Sequence, residues 1–210
     1  MVLLAGSALL AAGLLSAGGG ALLLWHSGQQ EQQLTNRWTS AVDAASAQTT
    51  GTGPVTPNVG GTQTEVAATH RAVISAPREG VPGAVFAIDV PKLHYFAAVQ
   101  QGVSLSVLFV GPGHYPSTPM PGSEGNVGVA AHNTYWIAFG QLKTGDTVRL
   151  ETLHNKYTYR VTGTRIVGPN DRTILAPSPG YHLTLTTCWP LWAGALATQR
   201  LAISAVQIST

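Results

Sequence analysis

Tyr181–Arg200 reads YHLTLTTCWPLWAGALATQR, and it contains the only cysteine of the 210-residue chain, Cys188. An apolar and β-branched run, Leu183-Thr184-Leu185-Thr186-Thr187, precedes the thiol. Trp189-Pro190 and a small-residue loop follow it, and a second strand-like run starts near Arg200 (RLAISAVQI). The stretch predicts a strand that delivers a thiol to its end, a loop over it, and a neighbouring strand that brings a cation back. A lone cysteine is most often a small buried hydrophobe. At a strand-to-loop boundary, where functional residues concentrate, it is also a candidate nucleophile. An ordinary thiol ionises near about pH 8.5, so acyl chemistry needs a base and a charge stabiliser beside it.

Upstream of this stretch the pattern is β from about Val81. Val85–Val90 alternates and stops at Pro91; His94–Gln100 is a second strand. Val103–Val110 fits helix or strand equally. Gly111–Pro116 is loop with a short extended core, and Asn126–Ala131 is a short buried strand ending at His132. Tyr135–Leu142 predicts one helical turn that packs Trp136 and Phe139 on the core. Thr147–Thr152 and Lys156–Val167 form strands across a His154-Asn155 turn, and Leu183–Cys188 and Arg200–Ile208 close the set. Short strands at this spacing, with 24 Gly and 13 Pro, predict an all-β sandwich or barrel.

Seven histidines compete to be the base. His26 and His70 precede the β-rich region, His94 lies in an early strand, and His154 sits in a turn. His182 shares parity with Cys188, but six residues at about 3.3 Å each separate them by about 20 Å, far beyond hydrogen-bond reach. His114 and His132 remain. His132 follows a buried strand, the same strand-end placement as Cys188; its bland reading is a histidine bonded to backbone. Arg200 shares parity with Ala202, Ser204 and Val206, opposite the more apolar Leu201, Ile203 and Ala205. It therefore faces solvent or a groove.

Thr184-Leu185-Thr186-Thr187-Cys188 followed by Arg200 resembles the signature of the sortases, membrane-anchored cysteine transpeptidases of mostly Gram-positive bacteria. The segment GPGHYPSTPMPGSEGNVGVAAHN (Gly111–Asn133) is similar to that of the actinobacterial class E (class D/E) sortases. The resemblance covers about Val81 to Ile208 and implies an eight-stranded sortase-type β-barrel with short helices. It implies Cys188 as nucleophile, His132 as acid and base, and Arg200 as the cation on substrate or oxyanion. Tyr115, Ala131, Asn133, Thr187 and Trp189 are candidates for lining the substrate groove; core packing is the competing reading for Tyr115, and His114 reads as structural. The family pattern around the histidine is Gly-His-Arg, whereas this chain has Ala131-His132-Asn133 and so lacks a charge there. The implied substrate is a sorting signal of the Leu-Pro-X-Thr-Gly or Leu-Ala-X-Thr-Gly type on a secreted protein, cut between Thr and Gly. The implied acceptor is the lipid II cross-bridge amine or a pilin lysine. No cofactor and no metal is expected.

Val2–Trp25 carries no charged residue and is long enough to cross a bilayer. It is read as an uncleaved plasma-membrane anchor (residues 1–26), with a cleaved signal peptide or a buried helix as alternatives. An incomplete N-terminus would account for the missing basic flank. Residues 27–80 are rich in Gln, Thr, Ala and Gly and read as a flexible extracytoplasmic linker, with a frayed helix at Gln29–Gln48. Residues 81–210 are then the catalytic domain. A net charge of +2, with the eleven Lys and Arg scattered, argues against a nucleic-acid partner. Other cysteine enzymes of the cell wall fit less well. L,D-transpeptidases carry a Ser-His-Gly-Cys stretch that is absent here, and papain-like and NlpC-like hydrolases place Cys before His. A sortase-fold hydrolase and a non-catalytic peptide-binding barrel stay open.

Overall fold

A computed structural model describes residues 26–47 and 81–210. Eight strands close into one barrel: β1 (Phe86–Val90), β2 (Tyr95–Gln101), β3 (Gly113–His114), β4 (Gly125–Ala130), β5 (Thr147–Glu151), β6 (Lys156–Val167), β7 (Tyr181–Trp189) and β8 (Gln199–Ser209). Around the barrel the order is β1-β2-β3-β4-β7-β8-β6-β5. Closure leaves no edge strand with unpaired backbone groups. Most neighbours are antiparallel, but β4 runs parallel to β7 and β2 parallel to β3.

Period-two patterning sets which side of each strand faces in. In β5, Val148 and Leu150 are buried, while Thr147, Arg149 and Glu151 alternate outward. Their partners stand directly across: Arg149 pairs with Asp89 of β1 at 3.0 Å, and Glu151 with Lys156 of β6 at 2.6 Å. The interior is filled by Phe86, Ile88, Val129, Leu183, Leu185 and Ile203, among others. Val103–Val110, ambiguous in sequence, resolves as a short helix, α2 (Leu105–Val110), capped by Ser104. Ile137–Gln141 is a 3-10 turn, and Trp136 and Phe139 stack at 4.2 Å on the core as expected. His94 is not in a strand: it sits at φ 49 in the turn before β2.

Two expectations for the N-terminal region have different outcomes. The anchor, Val2–Trp25, lies outside the described residues, as do 48–80. Among the described residues no helix is long and apolar enough to cross a membrane. The helix expected at Gln29–Gln48, by contrast, is present. Residues 26–47 form one helix, here α1, docked on the barrel. Ser27, Leu34 and Trp38 are buried, with Ala41 and Val42 half-buried beside them, a spacing that puts them on one helical face. Trp38 is only 1% exposed. Polar contacts fix the register: the Ala98 amide of β2 donates to Thr35 Oγ1 at 3.1 Å, and the Tyr95 hydroxyl to Glu31 Oε1 at 3.1 Å. A few apolar residues suffice because the barrel supplies the other half of the interface.

Candidate active site

The parallel pairing of β4 with β7 brings two candidate site residues together. Ala130 lies beside Thr186, and each chain continues in the same direction, to His132 on one side and Cys188 on the other. On the opposite flank of β7, Cys188 stands directly across from Arg200 of β8. His132, Cys188 and Arg200 line one cavity of about 270 Å³, together with Tyr115, Ala131 and Thr187. A second cavity of about 660 Å³ shares Val103, Tyr115, Thr186 and Arg200 with the first. The two form one trench that runs from Cys188 beneath the loop joining β6 to β7.

Local bonding sets these side chains. Cys188 is half-buried one residue before the end of β7. Arg200 Nη1 donates to the Gln199 carbonyl at 2.9 Å. Asn133 is fully buried. Its Nδ2 donates to the Gly194 carbonyl at 3.4 Å, and its Oδ1 lies 3.3 Å from His132 Nδ1. A carbonyl only accepts, so the Gly194 bond turns the amide nitrogen away from the imidazole. The Oδ1 that remains is an acceptor, and His132 Nδ1 must be the donor. Nε2 is then left for chemistry. Gly194 holds φ 53, a left-handed geometry that glycine adopts without strain.

His114 lies in the core, 1% exposed. Its ring contacts Gln101, Pro119 and Thr118 within 3.1 Å, and burial pushes its pKa down. It is a structural group that fixes the start of the trench wall. Next to it, Tyr115 shares a 2.9 Å hydrogen bond with Thr186 Oγ1 and lines both cavities. Gly128 lets this happen: an added Cβ would come within 2.9 Å of the Tyr115 ring and 2.8 Å of Leu175.

Of the groove candidates, Tyr115, Ala131 and Thr187 line the trench, the last with a buried Oγ1 that has no hydrogen-bond partner among the described residues. Asn133 is beneath His132 instead, and Trp189 packs half-buried against the core. Sequence reasoning passed over Thr186, whose signal was its parity with Cys188 on one strand face. It also passed over Leu105 and Leu108 of α2, which form the far wall.

A match to the Sortase domain spans residues 88–208 and includes every group just described. The chain belongs to the sortase family. Among curated sortases, it is 30% identical over 105 residues to sortase D of Bacillus subtilis, covering 49% of this chain and 53% of that protein. It is 32% identical over 136 residues to sortase SrtE1 of Streptomyces coelicolor, covering 55% of this chain and 39% of that protein. The match thus spans about half or less of the length of these relatives, and their names make this sortase class D/E-like. The structure of Streptomyces coelicolor sortase E1 with a tripeptide in its active site superposes with a TM-score of 0.56 at 25% identity, over 61% of this chain and 90% of that one. A Clostridium perfringens sortase D5 transpeptidase shares the fold at TM-score 0.62 and 19% identity, over 87% of this chain and 100% of that one.

Proposed function

We infer that this sortase is a cysteine transpeptidase, and one observation carries the reading: Cys188, His132 and Arg200 line a single groove. Cys188, as thiolate, attacks the carbonyl carbon of a scissile peptide bond. The C–N bond breaks as His132 Nε2 gives its proton to the leaving amine, and a thioester remains on Sγ. The incoming amine then attacks the thioester, neutral His132 takes its proton, and Cys188 departs as thiolate. Arg200 places a fixed cation across from the thiol, where negative charge develops on the carbonyl oxygen. The trench suits an extended peptide, with Tyr115 and Thr186 on its floor.

The substrate class is a sorting signal of the Leu-Ala-X-Thr-Gly or Leu-Pro-X-Thr-Gly type, cut between Thr and Gly. The acceptor is a cell-wall precursor amine, such as the lipid II cross-bridge. Val2–Trp25 anchors the chain in the plasma membrane with the barrel outside; its lack of charge and its length support this. The full chain incubated with both peptides and a glycine-based amine tests the reading by mass spectrometry. Cleavage after Thr with transfer to the amine, lost in Cys188→Ala, is the expected result. Cleavage without transfer points to a hydrolase, and no thioacyl adduct with either peptide removes the substrate assignment.

A further inference from the structure

Asp171, Arg172 and Arg200 are the charged residues that line the trench, and the segments around its His132 end carry none. Residues 93–123, 125–142 and 173–199 contain no Asp, Glu, Lys or Arg. They supply α2, the loop after β4 and the loop after β7. Large apolar side chains are exposed on this surface: Leu105 at 80%, Trp192 at 81% and Leu196 at 83%, with Phe109 and Ile137 also exposed. The loop after His132 ties them together. On one side the Tyr135 hydroxyl donates to the Phe109 carbonyl at 2.7 Å. On the other, Asn133 Nδ2 donates to Gly194, between Trp192 and Leu196. Ile137 belongs to the same loop. Leu105 lines the cavity with His132, and the other four lie on the loop after His132 or on segments bonded to it; exposed apolar side chains grouped on neighbouring segments mark an interaction surface.

The start of α1 says what covers it. Ser27, in the first turn, is hydrogen-bonded to the Tyr135 side chain, and Glu31 packs against Gly111 at the end of α2. The helix therefore begins at the apolar rim and not at the far pole of the barrel. Immediately before it comes the uncharged stretch Val2–Trp25, read above as the anchor. We propose that the rim around the trench seats on the lipid bilayer, with Leu105, Phe109, Trp192 and Leu196 at the boundary between headgroups and acyl chains. This rests on the anchor reading. Exposed Trp and Leu suit that boundary, and the Lys and Arg of the chain are scattered, so the contact needs no anionic lipid. Acceptors carried on a membrane lipid then reach the thioester along the bilayer surface.

The test uses the full chain carrying Trp25→Phe, reconstituted in phosphatidylcholine vesicles with brominated acyl chains. The contribution of Trp192 is the emission lost on adding Trp192→Phe. The expected result is that this component loses most of its intensity to brominated lipid and is shielded from aqueous acrylamide. Leu105→Asp with Leu196→Asp should reverse both effects while circular dichroism stays unchanged. Quenching by acrylamide alone would place the rim in water, and shielding from both quenchers would place it under protein; either outcome overturns the proposal. Flotation separates the two readings: a chain that does not float with vesicles sinks anchor and seat together, and one that floats with Trp192 in water sinks only the seat. Neither readout requires turnover.

Discussion

At His132 one ring nitrogen is already engaged. The Asn133 amide donates to the Gly194 carbonyl on one side and accepts a hydrogen bond from His132 Nδ1 on the other, which leaves Nε2 for the groove. Asn133 is therefore a positioning residue, although its place in the sequence marked it as a departure from a charged pattern. In Asn133→Leu, the imidazole ¹⁵N shifts of His132 should change from the Nδ1–H form to a tautomer mixture. Turnover should fall about 10²-fold with KM little altered, the scale for misplacing one catalytic group. Unchanged shifts would reduce Asn133 to a packing residue. Arg200 makes a sharper test of charge. Arg200→Ala should lower kcat/KM by about 10²–10³-fold, and Arg200→Lys should recover only part, because a point charge lacks the guanidinium fork. Strand-end placement and motif spacing are local, so the three residues that converge on one cavity could be picked out in the sequence. The Tyr115–Thr186 and Asn133–Gly194 bonds could not, because each joins segments far apart in sequence.

Among the elements, α1 was expected as a helix, and its docking on the barrel is what the sequence hides. Its composition is that of a linker, and its docking face is four or five residues scattered among Gln and Thr; only the barrel wall makes them a core. Trp38→Ala should cost about 3–5 kcal/mol, measured by denaturant unfolding. Glu31 offers a test by pH. Burial pushes its pKa up, partly opposed by the Tyr95 hydrogen bond. A carboxyl with a raised folded pKa favours the fold only while protonated and loses that advantage as pH rises. Glu31→Gln keeps the acceptor for Tyr95 and removes the charge. It should raise Tm at pH 7 and leave it unchanged below the ordinary Glu value of about 4.3. The strands, by contrast, were largely readable, since β5 and β7 announce themselves by alternation and β-branched content. The helical state of α2 was not, because six apolar and small residues fit either period.

For the molecule as a whole, the boundary of the folded unit lies earlier than composition indicates. A chain starting at Val81 would keep all eight strands but expose the wall that Leu34 and Trp38 cover. It should melt lower than a chain starting at His26 and aggregate more readily, by differential scanning calorimetry and light scattering. Equal melting would mean that α1 is not part of the cooperative unit. Strand count and turn spacing pointed to an all-β sandwich or barrel, and the family resemblance chose the barrel. Its one decisive pairing, β4 beside β7, was not legible, because period and propensity are silent on which strands become neighbours.

That pairing also sets when the protein becomes reactive. His132 and Cys188 ride on strands with all of β5 and β6 between them in the chain, so no local hairpin can bring them together. The thiol meets its base only once this non-local pairing has formed, a slow kind of contact for a chain to make. Until that pairing forms, Cys188 has no base beside it. Catalytic competence is then a certificate of finished folding, issued by the same register that closes the wall.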